Sequence, residues 1–297
     1  MNDFFDLNCF LLDPKLSEEL SDEHVRTWLK YKSDELKDNE GKIVDDPDSS
    51  DGARYFYKEL WGERLGITVR ECRNTFSRRP SKYVQGDWMC SVWTTLKYAL
   101  QQTYGKNKNG DKWWQKPKIE KTFTQNGSAT KKTFAGILKH SEEFSEVFED
   151  TTVQEFIRAA YTSANLIIVP DGFNTERYKS TKDYWDLTLK KFYQGKEPLD
   201  HRLRNDDGRY DVATPFRKLL KKNQKKGDPL CLSPWINEHG KPLRLSPWIN
   251  EHGKPNFSSY SYEENNAYWH KLMQEMTSRI NLRRELMAQY IDQLQKE

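Results

Sequence analysis

Apolar residues recur at three- and four-residue spacing in several stretches of the chain, and each such stretch predicts an amphipathic helix. The longest lies at the C-terminus. There Trp269, Leu272, Met273, Met276, Ile280, Met287, Tyr290, Ile291 and Leu294 keep one face apolar for about eight turns, and Ser261-x-x-Glu264 supplies a capping box at its start. Thr152-x-x-Glu155 leads into Phe156, Ile157, Ala159 and Ala160, and Ser180-x-x-Asp183 leads into Leu187, Leu189, Phe192 and Tyr193, closed by Gly195. Thr214-Pro215 places proline at the first position of a further helix. Asp87 is the predicted cap of a helix through Met89, Val92, Trp93, Leu96, Leu100 and Tyr104. Residues 17–36 read as a surface helix, and residues 54–61 (RYFYKELW) as an aromatic helical turn.

Strand signals are few. Residues 166–169 (LIIV) form a short apolar run stopped by Pro170-Asp-Gly172, which predicts a buried strand. Residues 118–123 and 130–134 predict a hairpin about Gln125-Asn-Gly-Ser128. The pattern therefore predicts a mainly α or irregular α+β fold: several amphipathic helices, a few short strands and a long C-terminal helix. We expect a single globular domain over residues 1–297. Residues 1–60 form an acidic helical head, and 61–230 a central body with a basic loop at 105–133. A duplicated loop follows at 231–258, and the C-terminal helix at 259–297.

Composition supports a real core. Only 35% of residues are apolar, but 13% are aromatic, including ten tryptophans, and each aromatic buries a large area. The longest apolar run is far short of the ~20 residues of a membrane span. The opening residues MNDFFDLNCF lack the positive region of a secretory signal. The expected setting is cytoplasmic, without a membrane partner. Cys9, Cys72, Cys90 and Cys231 are widely spaced and match no zinc or CxxC pattern, so we expect reduced thiols and no metal site.

The net charge of +3 hides an asymmetry. Residues 1–60 carry 16 acids and 8 bases, whereas residues 61–140 carry 5 acids and 16 bases. Either the two regions face each other, or the basic middle meets an anionic partner. Lys106, Lys108, Lys112, Lys116, Lys118 and Lys121 interleave with Trp113 and Trp114, and residues 217–226 (RKLLKKNQKK) hold six bases and no acid. Lysines meet phosphates and aromatics stack on unpaired bases, so a nucleotide or nucleic acid is a candidate partner. A pI near 8.4 is low for a dedicated binder of that kind.

One repeat stands out. LSPWINEHGKP occurs at residues 232–242 and again at 245–255. Identical short copies differ from the diverged units of a solenoid; they read as a tandem duplication tolerated by a surface loop. His239 and His252 lie within the copies, without further metal ligands at suitable spacing.

No phosphate-binding loop, dinucleotide fingerprint, zinc-protease helix or nucleophile elbow occurs, and no cofactor is indicated. Two polar segments are the candidate site. Arg78, within Thr75-Phe-Ser-Arg-Arg79, offers a guanidinium fork for phosphate or carboxylate. The stretch from Tyr161 to Asp186 passes from a strand through a glycine turn into a helix, a common setting for a ligand. In it Tyr161, Asn165, Asn174, Arg177 and Lys182 are ligand-binding candidates, and Asp183 and Asp186 are candidates for a base or metal ligand.

These segments belong to a longer series: Asp46-Pro-Asp48, Tyr57-Lys58-x-Leu60-Trp61, Thr75-Phe-Ser-Arg78, Tyr161-Thr162-x-x-Asn165, Val169-Pro170, Phe173-Asn174 with Arg177, and residues 182–189 (KDYWDLTL). In order and spacing the series resembles an uncharacterised bacterial protein family, a domain of unknown function, over residues 45–193. The resemblance implies a bacterial or phage-related origin and carries no assigned activity. Beyond residue 195 the match thins, and the duplication departs from it. Two functions follow as expectations. The first is a cytosolic protein that binds or acts on a phosphate-bearing ligand, a nucleotide or nucleic acid. The second is a non-catalytic protein–protein interaction module, with Trp113 and Trp114 as exposed anchors.

Overall fold

The computed structural model describes residues 57–69, 83–90, 95, 150–160, 163–170, 173, 185–193, 213–237, 243, 262–294 and 296. The described residues are mostly helical, with one two-stranded sheet. A π-helical stretch Lys58–Gly62 runs into a short helix α1 (Glu63–Leu65). Strand β1 (Val84–Trp88) follows, then helix α2 (Thr151–Ala160), a 3-10 turn Ser163–Asn165 and strand β2 (Leu166–Pro170). Helices α3 (Trp185–Tyr193), α4 (Ala213–Lys225) and α5 (Tyr262–Leu294) complete the order. No helix among the described residues is long and apolar enough to cross a membrane.

The apolar run at 166–169 forms β2, which is buried along its whole length. A strand surrounded by core must still satisfy its main-chain donors and acceptors. β1 meets that need by pairing antiparallel, with Val84 opposite Pro170 and Trp88 opposite Leu166. This overturns the helix cap expected at Asp87, which lies inside β1 opposite Ile167 and is buried. Thr95 is helical, so the helical pattern resumes only beyond the strand. The hairpin expected at 118–134 and the helix at 17–36 lie outside the described residues.

Helix α5, 33 residues long, runs about 50 Å. Its buried face is formed by Trp269, Leu272, Met273, Met276, Ile280, Met287 and Ile291, with Arg283 between the last turns. It packs on α2 and on the 3-10 turn that feeds β2. A second cluster joins Phe173, Trp185, Phe192 and Phe216, with ring centroids 4.5–6.0 Å apart. Trp185 of the 182–189 motif thus serves the core that seats α3 and α4.

The cap of α2 also differs from expectation. Asp150, two residues before Thr152, accepts the Val153 N–H on Oδ1 at 3.1 Å. A carboxylate at the helix entrance meets both the orphan N–H groups and the positive end of the dipole, which a threonine hydroxyl does less well.

Candidate functional site

α4 divides by helical period into two faces. Phe216, Leu219, Leu220 and Asn223 are buried. Lys218, Lys221, Lys222 and Lys225 recur at i, i+3, i+4 and i+7 on the other side, three of them exposed and Lys222 half-buried, and exposed Lys226 follows. No acid lies between Ala213 and Gly227, and among the described residues none of these lysines is in an ion pair. Arg217 turns aside, its guanidinium 6.0 Å from the Phe192 ring centroid. The result is a two-turn stripe of ammonium groups, about 10 Å long, on a helix fixed by an aromatic cluster.

The end of α4 is held as firmly as its face. Gly227 and Asp228 both take positive φ, 80° and 64°, which closes the helix. Asp228 then gathers the following turn: its carboxylate accepts N–H bonds from Leu232 at 3.0 Å and Ser233 at 2.9 Å, and the Asn223 amide at 2.6 Å. The Asn223 amide oxygen accepts the Leu230 N–H at 2.7 Å. Leu230, Leu232, Trp235 and Ile236 are consequently core residues. The first copy of the repeat is therefore not a surface loop over these residues: Trp235 and Ile236 have too much apolar area to leave in water, and the turn at Asp228 directs them inward.

Arg283 sits beneath this turn with no exposure. It donates from Nε and Nη2 to the Leu230 carbonyl at 3.1 and 3.0 Å, and from Nη1 to the carbonyls of Ala164 and Leu166 at 2.7 and 2.5 Å. Its guanidinium carbon lies 6.0 Å from the Trp235 ring centroid. Burial lowers its pKa; Cys231, Asp228, Tyr57 and Cys90 oppose that shift. A guanidinium surrounded by carbonyls still keeps its charge.

Two of the expected site residues fall beside this centre. Asn165 is wholly buried and its amide is committed to the main chain. It donates to the carbonyls of Cys90 at 3.0 Å and Ala160 at 2.7 Å, and accepts the Cys90 N–H at 2.7 Å. It fastens the end of β1 to the end of α2. Asp186, in the first turn of α3, is also buried. Burial raises the pKa of the Cys90 thiol, and the Asp186 charge raises it further, against Arg279 and Arg283. Asn165 is thus bonded to the Cys90 main chain, and Asp186 acts on the Cys90 thiol through its charge; both lie inside the protein. Arg78, Tyr161, Asn174, Arg177, Lys182 and Asp183 lie outside the described residues, as do Trp113 and Trp114.

Sequence reasoning missed a third feature. His270 Nε2 lies 2.6 Å from Asp150 Oδ2, so the carboxylate that caps α2 also ties it to α5. The two residues are 120 positions apart, and no spacing rule connects them. Among the described residues no group of three or more potential metal ligands gathers. No family model, curated protein or solved structure matches the chain.

Proposed function

We propose that the protein binds a phosphate-bearing ligand, with nucleic acid as the favoured class, through the lysine stripe of α4, in the bacterial or phage-related cytosolic setting that its motif series implies. The observation that carries this reading is the row of Lys218, Lys221, Lys222 and Lys225 on one helix face, none of them in an ion pair among the described residues. A rigid row of ammonium groups is suited to displacing counterions from a phosphate backbone, which makes binding strong at low salt and independent of sequence. Arg78 and Arg177 are the accompanying candidates for phosphate contacts, because an arginine fork adds the geometric definition that lysine lacks.

Fluorescence anisotropy with a labelled duplex tests this. About four phosphate contacts predict an affinity loss of roughly a hundredfold between 50 and 200 mM salt. The triple variant K218E/K221E/K225E should bind at least tenfold more weakly at low salt, with a shallower salt slope and unchanged far-ultraviolet circular dichroism. Equal binding by this variant, or no binding by the unaltered protein at low salt, overturns the reading.

A further inference from the structure

The duplication is longer than its eleven identical residues. Residues 229–241 (PLCLSPWINEHGK) and 242–254 (PLRLSPWINEHGK) agree at every position but one, where Cys231 corresponds to Arg244. The first copy enters a socket, and several of the bonds that hold it there fall on its main chain. The Trp61 indole donates to the Pro229 carbonyl at 2.8 Å, and Arg283 donates twice to that of Leu230. Arg279 donates to the Leu243 carbonyl at 2.9 Å, while the Leu243 N–H bonds to the Trp235 carbonyl at 2.8 Å. Main-chain bonds of this kind do not depend on which copy provides them. The buried side chains Leu230, Leu232, Trp235 and Ile236 recur thirteen positions later as Leu243, Leu245, Trp248 and Ile249.

We propose that the socket recognises a peptide, Pro-Leu-x-Leu-Ser-Pro-Trp-Ile with x uncharged, and that the second copy in the same chain is its alternative occupant, kept out chiefly by Arg244. At position x, Cys231 is 6% exposed and within the field of Arg283. Arginine there would bury a second cation beside the first, and the Asp228 carboxylate that now acts on this position would have left with the shift in register. Two further features favour the first copy. In the shifted register Lys241 would stand where Asp228 now accepts the N–H groups of Leu232 and Ser233, and an ammonium cannot accept them. The connection to α5 would shorten as well. Asn256 would take the place of Leu243, which lies against Arg279, about 26 Å of helix beyond Tyr262. The six residues from Asn256 to Tyr262 reach at most about 21 Å, so the first turn of α5 would have to unwind.

Urea unfolding of four full-length variants tests the proposal. W235A removes the anchor of the first copy and should lower the midpoint clearly, whereas R244C alone should leave it unchanged. Adding R244C to W235A makes the second copy acceptable and should recover part of the lost midpoint. Adding W248A as a third change should abolish that recovery. A W235A/R244C protein no more stable than W235A overturns the proposal, including the case in which neither folds. So does a recovery that survives W248A, or a W235A protein as stable as the original. The duplex-binding readout is not involved, so this result stands apart from that of the lysine stripe.

Discussion

Position 283 shows how one polar residue can organise an apolar interior. Burying a guanidinium costs several kcal/mol unless its donors are met, and here four donor contacts reach three carbonyls on two distant segments. R283M, similar in volume, would leave those carbonyls without a donor. It should destabilise by about 3–5 kcal/mol in urea unfolding. R283K keeps the charge but cannot bridge both sides of the site with one ammonium, so it should lose a substantial part of the same amount. A near-neutral R283M would show that the guanidinium is not a structural tie.

Cys231 adds a pH dependence at the same centre. Burial pushes its thiol up from 9.0 to about 11, with Asp228 adding to the rise and Arg283 opposing it. Burial also raises the pKa values of Cys90 and Tyr193. In each case the folded form holds its proton more tightly than the unfolded chain does. Stability is therefore full below pH ~9 and falls as pH rises from there toward ~11, by about 2–3 kcal/mol for Cys231 alone. Urea midpoints measured from pH 8 to 11 should decline, and C231A should flatten that decline. A flat profile in the unaltered protein would refute the assignment.

At the scale of elements, Asp150 is the residue on which α2 depends. D150A removes both the N-cap and the His270 contact and should cost about 1–2 kcal/mol. T152A should stay within about 0.5 kcal/mol. Thermal melts of the pair decide between the two caps: an equal loss in T152A would restore the threonine as the cap. A second site of local dependence is Gly66, which holds φ 51° at the end of α1. A Cβ there would come within 2.8 Å of the Lys222 ammonium. That contact is soft because the lysine can move, so the backbone conformation dominates. G66A should cost about 1 kcal/mol.

Helix periodicity and the apolar run at 166–169 were legible in the sequence because each is a local signal, and α5, α4 and β2 follow them closely. β1 was not. Gly86 and Asp87 are poor strand formers, and what makes them a strand is the demand of β2 for a partner 80 positions away. The core role of the first repeat copy was hidden for a similar reason: the Asp228 turn that directs Trp235 inward is set by side-chain bonds, not by period. Arg283 did leave a trace. The apolar stripe of α5 lapses between Ile280 and Met287, where Arg283 and Arg284 stand in the gap. The candidate site was read less well. Asn165 was recognised as unusual, but the same polarity that suits a ligand also suits a buried clamp. The pairing of His270 with Asp150 had no sequence signature at all.

At the scale of the molecule, charge and core are arranged separately. The described core is held by aromatic packing and by polar ties, most of which end on main chain, while among the described residues the exposed lysines of α4 enter no ion pair. Neutralising the stripe with K218Q/K221Q/K225Q should therefore shift the urea midpoint by no more than about 0.5 kcal/mol, while weakening duplex binding. A large loss of stability in that variant would mean that the stripe is part of the scaffold and not a surface reserved for a partner.

Arg283 also bears on the order in which the protein can be made. Its partners at Ala164, Leu166 and Leu230 are translated 119, 117 and 53 residues earlier. Until residue 283 has left the ribosome, the strand end and the Asp228 turn lack the guanidinium that joins them. Folding of this core thus waits on a residue made long after its strand, and a nascent chain halted before residue 283 should remain open to proteolysis however many of its earlier helices have formed.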